Sequence, residues 1–516
     1  MSNGVRIRKL STGIPGLDAV LGGGVPELSF TLVAGGPGCG KTTLAHQFMF
    51  ANATDENKAL YFTIFGEPPI KMLRYQQQFA FFDASKVGGA IRFVHLGKEM
   101  IEGGLDKVMA RISREIDAVD ARTVVVDSFR SVARSAMAIE RREEQIGLER
   151  FVQLLALQLT AYEATTFLVG EYAEQETNSN PIFTVADGIL WLYQTVIRNS
   201  AVRRLQVMKM RGAAPVPGLH TIKLTDDGVR VFPRLSKPEE RTPTHGGAGA
   251  RQKTGIAGLD EMLHGGIPAG YSMLVAGPSG SGKSMLATQF LLEGIRAGES
   301  AVLAIFEKRP DEYLRTVPVG PELERLIAAD KIKLVYIRPL DLSVDETLEE
   351  LQDAITRLGA TRVVIDSLSG LELALAPPFS EDFRESLYRM IGALTNLGVT
   401  VLMTVELTES FTELRLSPQG ASFLTDGIIL QRYVEFEGSL RKVMTVVKMR
   451  ASDHSKELRE YRIGARGIEI GGVFRGPRGI PAQGAQPTPS VTPRKRVPSA
   501  AVRRSRPKAK PKRRAR

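Results

Sequence analysis

Two glycine-rich segments constrain the fold of this chain more than any other feature of its sequence. They occupy residues 35–42 and 277–284, and both match the Walker A pattern G-x-x-x-x-G-K-[S/T]. Each follows a short apolar run typical of a strand and precedes a helical pattern, which is the context in which such a loop cradles phosphate groups. Two copies predict two nucleotide-binding units on one polypeptide.

The sequence around the two loops is duplicated in the same order. Residues 12–18 (TGIPGLD) recur as residues 254–260 (TGIAGLD), and several later segments repeat at a nearly constant offset. A repeat of this length indicates a duplicated domain rather than a short-period solenoid. We predict an N-terminal domain at 1–235, a linker at 236–253, a C-terminal domain at 254–474 and a tail at 475–516.

Short apolar runs rich in β-branched residues alternate with longer helical patterns in each half. This alternation predicts an α/β fold in which each half has a mostly parallel sheet flanked by helices. With the two Walker A loops, the sequence predicts two tandem P-loop NTPase domains. The predicted strands of the first half are Phe30–Ala34, Leu60–Phe65, Thr123–Asp127 and Thr165–Gly170.

Composition favours a soluble, cytoplasmic protein. Of 516 residues, 43% are hydrophobic, and no apolar run approaches the ~20 residues needed to cross a bilayer, so we expect no membrane association. Cys39 is the single cysteine, which excludes a disulfide framework and a cysteine metal site.

The net charge of +11 belongs to the tail. Residues 475–516 contain 14 Lys and Arg and no acidic residue, so the rest of the chain carries a net charge of −3. Proline, alanine, glycine, serine and basic residues dominate there, which predicts disorder. Such an arm binds nucleic acid or an acidic partner by counterion release, or it serves only as a solubilising tail.

The Walker A loops are predicted to bind ATP through backbone N–H groups and a helix N-terminus. Lys41 and Lys283 are expected to reach the β- and γ-phosphates. The predicted ATP-binding residues are Gly35, Gly36, Pro37, Gly38, Cys39, Gly40, Lys41 and Thr42 in the first half, and Gly277, Pro278, Ser279, Gly280, Ser281, Gly282, Lys283 and Ser284 in the second.

The predicted ligands of Mg²⁺ are the hydroxyls of Thr42 and Ser284 together with two aspartates. Asp127 and Asp366 each end a Val/Ile-rich strand, where the Walker B acid lies near the metal. An aspartate at the end of a strand also commonly caps the next helix, so the upstream Walker A loop is what favours the metal site.

Glu307 follows the apolar strand Ala301–Phe306 and is a candidate general base. We align Gly66 with Glu307 and Glu67 with Lys308, so that each half has one glutamate but in a different register. A carboxylate displaced along the chain loses the geometry that water activation requires. We therefore expect Glu307 to be the stronger base, and the first half to hydrolyse ATP slowly or mainly to bind it. Alternatively, each glutamate only caps the helix after it.

Two Lys-Met-Arg segments occur late in each half. Lys209 and Arg211, and likewise Lys448 and Arg450, are expected to share one strand face and to act on the nucleotide of a neighbouring protomer. Otherwise they form a solvated strand face. Glu171 and Glu406 end the strands after the Walker B aspartates and are candidate sensors of the γ-phosphate.

These motifs together resemble the KaiC family of the RecA/DnaB superfamily, over nearly residues 5 to 470. The resemblance implies an ATP-assembled homo-hexamer of two stacked rings, in which the four basic residues contact the adjacent subunit's nucleotide. It also implies regulatory partner proteins of a clock or signalling type, and serine/threonine autokinase activity in the second half.

The phosphorylation machinery implied by the resemblance is altered in this sequence. In clock members an adjacent Ser-Thr pair accepts phosphate, whereas Ser422-Phe423 aligns there, so Ser422 is the phosphoacceptor candidate and Ser417 a further one. The second glutamate of the family's pair is Lys308. The resemblance therefore implies serine autophosphorylation without a two-site cycle.

Three functions remain open from the sequence. The first is a signalling ATPase with autokinase activity, which the resemblance favours. The second is a DNA-dependent ATPase of the RecA/DnaB type, and the third is a nucleotide-gated scaffold with little turnover.

Overall fold

The computed structural model describes most of both repeats. The described residues are 7–63, 69–128, 144–178, 180–197, 200–234, 250–336, 343–375, 383–407 and 424–475. Glu67, Ser417, Ser422, most of the predicted linker and the tail beyond residue 475 lie outside them.

The first half is built on a nine-stranded sheet preceded by a short two-stranded one. Its strands are β1 (Lys9–Leu10), β2 (Val25–Pro26), β3 (Phe30–Gly35), β4 (Ala59–Thr63), β5 (Ile91–His95), β6 (Thr123–Asp127), β7 (Thr165–Glu171), β8 (Gly188–Ile197), β9 (Ser200–Met210), β10 (Leu219–Thr225) and β11 (Gly228–Phe232). Its helices are α1 (Leu17–Val20), α2 (Lys41–Asn52), α3 (Pro69–Gln76), α4 (Gly97–Val119), α5 (Glu144–Ala161) and α6 (Pro181–Val185).

The second half repeats this plan. Its strands are β12 (Arg251–Gln252), β13 (Ile267–Pro268), β14 (Ser272–Gly277), β15 (Ala301–Ile305), β16 (Ile332–Tyr336), β17 (Arg362–Asp366), β18 (Thr400–Glu406), β19 (Gly427–Phe436), β20 (Ser439–Met449), β21 (Arg459–Gly464) and β22 (Gly467–Val473). Its helices are α7 (Ala257–Met262), α8 (Lys283–Arg296), α9 (Pro310–Thr316), α10 (Gly320–Ala328), α11 (Val344–Leu358), α12 (Leu368–Ala374) and α13 (Phe383–Asn396).

Both large sheets have the same strand order. The first runs β11-β10-β9-β8-β3-β7-β6-β4-β5, and the second runs β22-β21-β20-β19-β14-β18-β17-β15-β16. Strands β3 to β8 pair in parallel, and β9 to β11 continue the sheet in antiparallel pairs. The prediction of two tandem RecA-like domains with mostly parallel sheets is confirmed.

The central strand of each sheet is apolar because it is covered on both faces. All six residues of β3 are buried; Phe30, Leu32 and Ala34 belong to one core cluster, and Val33 belongs to another on the opposite face. Strands buried on both sides show continuous apolar runs rather than alternation. The strand prediction for Thr123–Asp127 is confirmed, and β4 begins one residue earlier than predicted, at Ala59.

Parallel pairing brings the ends of several strands to one edge of each sheet. Gly35 at the end of β3 lies opposite Glu171 of β7, and Thr63 of β4 lies opposite Asp127 of β6. Ligands of open α/β sheets bind at the carboxyl ends of the strands. The fold therefore places the Walker A loop and two strand-end acids side by side.

Ion pairs connect the antiparallel edge of the first half to the second half. Lys223 of β10 pairs with Glu346 of α11, and Arg230 of β11 pairs with Glu349 at 2.9 Å. These partly exposed pairs orient the two surfaces but contribute at most about 1 kcal/mol each to stability. Within the described residues, no helix is both long enough and apolar enough to span a membrane.

Candidate nucleotide-binding sites

In both Walker A loops, the glycine directly before the lysine has the same left-handed conformation. Gly40 has φ 98° and ψ 15°, and Gly282 has φ 102° and ψ 22°. A Cβ atom at Gly40 would lie 2.7 Å from Leu224 Cδ1 of β10, and one at Gly282 would lie 2.6 Å from Ile463 Cδ1 of β21. Glycine is therefore required at this position in each loop. No side chain caps α2 or α8, so their first N–H groups face the loop where an anion binds.

The two Walker A lysines lie over their own loops; Lys41 is buried and Lys283 is half-buried. Lys41 Nζ donates to the Gly36 carbonyl at 2.6 Å, and Lys283 Nζ donates to the carbonyls of Gly277 at 2.9 Å and Pro278 at 2.8 Å. Burial lowers the pKa of both ammonium groups. Each lysine thus presents a desolvated cation to the cradle, where a phosphate would relieve the cost of burial.

In the first half, a hydroxyl and a carboxylate predicted to hold Mg²⁺ are in contact. Thr42 Oγ1 donates to Asp127 Oδ2 at 2.7 Å, and Tyr61 Oη donates to the same oxygen at 2.7 Å. Burial raises the pKa of Asp127, while the two hydrogen bonds and Lys41 oppose that shift.

In the second half, the Walker B aspartate also accepts two hydroxyl protons, one on each oxygen. Tyr313 Oη donates to Asp366 Oδ2 at 3.0 Å, and Thr404 Oγ1 donates to Oδ1. Ser284 lines the same cavity as Asp366.

Glu307 lines the cavity next to the second Walker A loop, and neighbouring residues hold its side chain there. Ser367 Oγ donates to Glu307 Oε1 at 2.6 Å, and the same Oγ accepts the N–H of Gly370 at 3.0 Å. The glutamate side chain packs on Gly370, because a Cβ atom there would lie 2.4 Å from Glu307 Cγ. The carboxylate is therefore fixed on one side by a hydroxyl and on the other by a residue without a side chain.

The strand register relates the two halves as far as the end of β4. Thr63 pairs with Asp127 and Ile305 pairs with Asp366, so Thr63 and Ile305 are equivalent. Glu307 comes two residues after Ile305. Gly66 and Glu67 lie outside the described residues, so their alignment with Glu307 and Lys308 stays a prediction.

A cavity forms around each Walker A loop. The first, of about 480 Å³, is lined by Lys41, Thr42, Asp127 and Glu171 among others. The second, of about 390 Å³, is lined by Lys283, Ser284, Glu307, Asp366 and Glu406 among others. The structure thus brings Lys283, Ser284 and Asp366 together with the candidate base and the strand-end acid.

The Lys-Met-Arg segments do not line these cavities in the described part of the chain. Lys209 Nζ donates to the Thr184 carbonyl at 3.0 Å, and Arg211 pairs with Asp187 at 2.9 Å. The second half has the same arrangement, with Lys448 on the Thr425 carbonyl and Arg450 paired with Asp426. The Arg211 and Arg450 side chains are 62% and 55% exposed. Both arginines are therefore largely exposed, and neither segment is among the residues that line the cavity of its own half.

The predicted protein ligands suit an Mg²⁺ ion that is also bound by phosphate oxygens, rather than one bound by protein side chains alone. Among the described residues, no group of three or more His, Cys, Asp or Glu side chains lies close enough to hold a metal. Mg²⁺ is usually held by one or two carboxylates, waters and substrate phosphates. One hydroxyl and one carboxylate in each half match that requirement.

Sequence reasoning missed several residues of these sites, among them Tyr61, Tyr313, Thr404 and Ser367. Ser367 could have been found from the sequence, because a serine follows the Walker B aspartate in both halves. The tyrosines carry no such signal, because they lie on different elements in the two halves.

The comparisons with known proteins agree with the geometry. The family model described as "ATPase: KaiC" matches residues 10–236 and again residues 252–473. The circadian clock oscillator protein KaiC of Rippkaea orientalis is 28% identical over 484 residues, covering 91% of this chain and 90% of that protein. The proteins of that name from Synechococcus elongatus and, as KaiC 1, from Synechocystis are also 28% identical and cover the same shares. The chain, with two Walker A loops on two sheets of one design, belongs to the KaiC family of ATPases.

Proposed function

We propose that this chain hydrolyses ATP with Mg²⁺ as a signalling ATPase, and that the second-half site turns over faster than the first. The observation that supports this asymmetry is the Glu307 carboxylate, which Ser367 and Gly370 hold in the cavity that contains Lys283 and Asp366. In the first half, the predicted alignment places Gly66 at that position.

In the proposed reaction, Glu307 accepts a proton from the water that attacks the γ-phosphorus, while the bond from that phosphorus to the β–γ bridging oxygen breaks and ADP leaves. Lys283 and the N-terminal N–H groups of α8 hold the phosphate oxygens and stabilise the charge that develops on them. Mg²⁺, held by Ser284 and Asp366 here and by Thr42 and Asp127 in the first half, would neutralise charge on the β- and γ-phosphates. Glu406 and Glu171 lie at the ends of the neighbouring strands, where we propose that they sense the γ-phosphate.

We propose that ATP assembles the chain into a homo-hexamer whose subunits complete each other's sites. In the described part of the chain, Lys209, Arg211, Lys448 and Arg450 do not line the cavities of their own halves, which supports action on a neighbour's nucleotide. A cation supplied by a neighbour raises the rate by ~10³–10⁵ in related NTPases. Regulatory partner proteins would then read the assembled, nucleotide-loaded state, and the basic tail is a candidate site for a nucleic-acid or acidic partner.

We also propose autophosphorylation at Ser422 in the second half. The support is the family membership and the position of the serine in the sequence. The relatives are named circadian clock oscillator proteins. For this chain we propose only one serine acceptor rather than a two-site cycle.

The decisive experiment incubates purified protein with γ-labelled ATP and Mg²⁺, with and without single-stranded DNA. We expect phosphate release that DNA does not change, lost in Glu307→Gln and largely kept in Glu67→Gln, and label incorporation lost in Ser422→Ala. Strong stimulation by DNA would favour a DNA-dependent ATPase. Tight ATP binding without release would favour a scaffold. Loss of turnover in Glu67→Gln alone would reverse the assignment of the faster site.

A further inference from the structure

Each Walker B aspartate accepts a hydrogen bond from a buried tyrosine hydroxyl. Tyr61 Oη lies 2.7 Å from Asp127 Oδ2, and Tyr313 Oη lies 3.0 Å from Asp366 Oδ2. Tyr61 and Tyr313 are both buried, and burial is the main reason that the pKa of each phenol is raised well above its usual value. Both tyrosines therefore remain protonated donors at neutral pH.

The two tyrosines are not equivalent in the repeat. Tyr61 lies on β4 opposite Val125, and the equivalent residue of β15, opposite Val364, is Leu303. Tyr313 lies on α9, the helix that follows β15. The helix that follows β4 is α3, whose single tyrosine, Tyr75, is 53% exposed. The same contact is thus reached from a strand in one half and from a helix in the other.

The residue that supports each tyrosine comes from one position of the helix after the Walker A loop. His46 of α2 stacks on the Tyr61 ring at 4.4 Å between centroids, with the planes inclined by 8°. The equivalent residue of α8 is Thr288, whose Oγ1 lies 3.5 Å from Tyr313 Oη. An aromatic ring supports the tyrosine ring in one half, and a hydroxyl contacts the tyrosine hydroxyl in the other.

The two halves make the tyrosine–aspartate contact from different elements, so the contact was not simply copied when the domain was duplicated. If the rings served only to fill space, phenylalanine would suffice and would avoid burying a hydroxyl. The hydroxyl instead fixes one oxygen of a carboxylate whose other contacts are the hydroxyls of Thr42 or Thr404. Hydrogen-bond partners of metal ligands orient those ligands and commonly change metal affinity by about 10–100-fold.

We propose that Tyr61 and Tyr313 are positioning residues that orient the Walker B carboxylates of Asp127 and Asp366 toward the Mg²⁺ of bound nucleotide. This inference rests on the proposed function of the two cavities as Mg-ATP sites. It adds a metal-orienting residue to each of them.

The test measures metal binding apart from turnover. Mn²⁺ replaces Mg²⁺ and is followed by its EPR signal in the presence of a non-hydrolysable ATP analogue. Lys283→Ala isolates the first site for Tyr61→Phe, and Lys41→Ala isolates the second for Tyr313→Phe. Each Phe substitution keeps the ring and removes one oxygen. We expect the Mn²⁺ dissociation constant to rise by roughly tenfold at each site, while the affinity for the analogue in EDTA stays within about twofold of its parent, because the hydroxyl acts through the metal ligand.

The control is Tyr193→Phe, which removes a hydroxyl that contacts Gln206 at 3.0 Å; Mn²⁺ affinity should not change. The proposal is overturned if Mn²⁺ binding is unchanged in both Phe variants, or if analogue affinity in EDTA falls as much as metal affinity, which indicates packing alone. If Tyr61→Phe does not fold, the Tyr313→Phe site decides the question alone. Failure of the proposed function has a different signature: the parent chains would then bind neither the analogue nor Mn²⁺.

Discussion

Ser367 Oγ donates a 2.6 Å hydrogen bond to Glu307 Oε1. The same oxygen caps α12 by accepting the N–H of Gly370 at 3.0 Å. Ser367 follows the Walker B aspartate directly, so the residue that holds the candidate base is the neighbour of the carboxylate that we propose binds Mg²⁺. The position of the base is therefore tied to the position of that carboxylate.

Replacing Ser367 by alanine should lower the rate of ATP hydrolysis at the second site. The Glu307 carboxylate would lose the hydroxyl that fixes its orientation, and positioning errors near the reacting atoms commonly cost 10-fold to 100-fold in rate. Steady-state phosphate release in a Lys41→Ala background, which isolates the second site, measures kcat and KM. We expect kcat to fall about tenfold with KM little changed.

Ser367→Thr is the conservative variant for that experiment, because threonine keeps both the hydroxyl and the cap. It should restore most of the rate. Alanine also removes the cap of α12, which costs about 1 kcal/mol of stability, so equal loss of kcat in the alanine and threonine variants would argue against orientation by the hydroxyl.

Replacing Gly370 by alanine should displace Glu307 without touching the phosphate cradle. The added Cβ atom would lie 2.4 Å from Glu307 Cγ and 2.9 Å from its Oε1. We expect phosphate release at the second site to fall as far as in Glu307→Gln, while equilibrium dialysis still finds ATP bound. Gly472→Ala, where a new Cβ meets nothing within 4 Å, is the matched control. Full activity in Gly370→Ala would contradict the placement of the base.

Each Walker A lysine should control one ATP per chain. In the described residues, buried Lys41 and half-buried Lys283 each donate hydrogen bonds to carbonyls of their own loop. Isothermal titration should therefore give two bound ATP for the parent chain and one for either Lys41→Ala or Lys283→Ala. A single alanine variant that bound no ATP at all would show that the sites are not independent.

Acid should destabilise the first half through His46. Burial lowers the pKa of this imidazole to about 3, from an unfolded value near 6.5. Between those values the unfolded chain binds a proton that the folded chain does not. The free energy of unfolding therefore falls as pH decreases through this range, by up to about 1.4 kcal/mol per pH unit.

Urea unfolding followed by the fluorescence of Trp191 measures this effect, because Trp191 is the single tryptophan and lies buried in the first half. His46→Phe keeps a ring against Tyr61 and should flatten the pH dependence between pH 6.5 and 4. His264→Asn, at a side chain 47% exposed, should leave it unchanged. An identical slope in His46→Phe and the parent would assign the acid sensitivity to other groups.

Much of this protein could be predicted from its local sequence. The Walker A pattern specifies a turn that requires glycine and a helix N-terminus, and both loops form as predicted between a strand and a helix. The duplication predicts that the two halves have the same fold, and the two large sheets do share one strand order. The first and last residues of strands were harder to predict, because pairing partners rather than local residues decide where a strand begins and ends.

The equivalence of strand residues in the two halves is decided by the same pairing. Counting along the chain near Glu307 allows several alignments that differ by one residue. Pairing of Thr63 with Asp127 and of Ile305 with Asp366 makes Thr63 and Ile305 equivalent. These pairs join residues that lie more than 60 positions apart in sequence.

The amino-acid sequence by itself determined the two phosphate cradles, the duplicated architecture and the identity of the acids that end the strands, because each depends on short segments with strong backbone or burial preferences. The tertiary structure alone decided which hydroxyls contact those acids. Tyr61 and Tyr313 reach equivalent carboxylates from a strand and a helix, and Ser367 reaches Glu307 across 60 residues. Such contacts depend on where the packed sheet and helices bring side chains together, which no local pattern records.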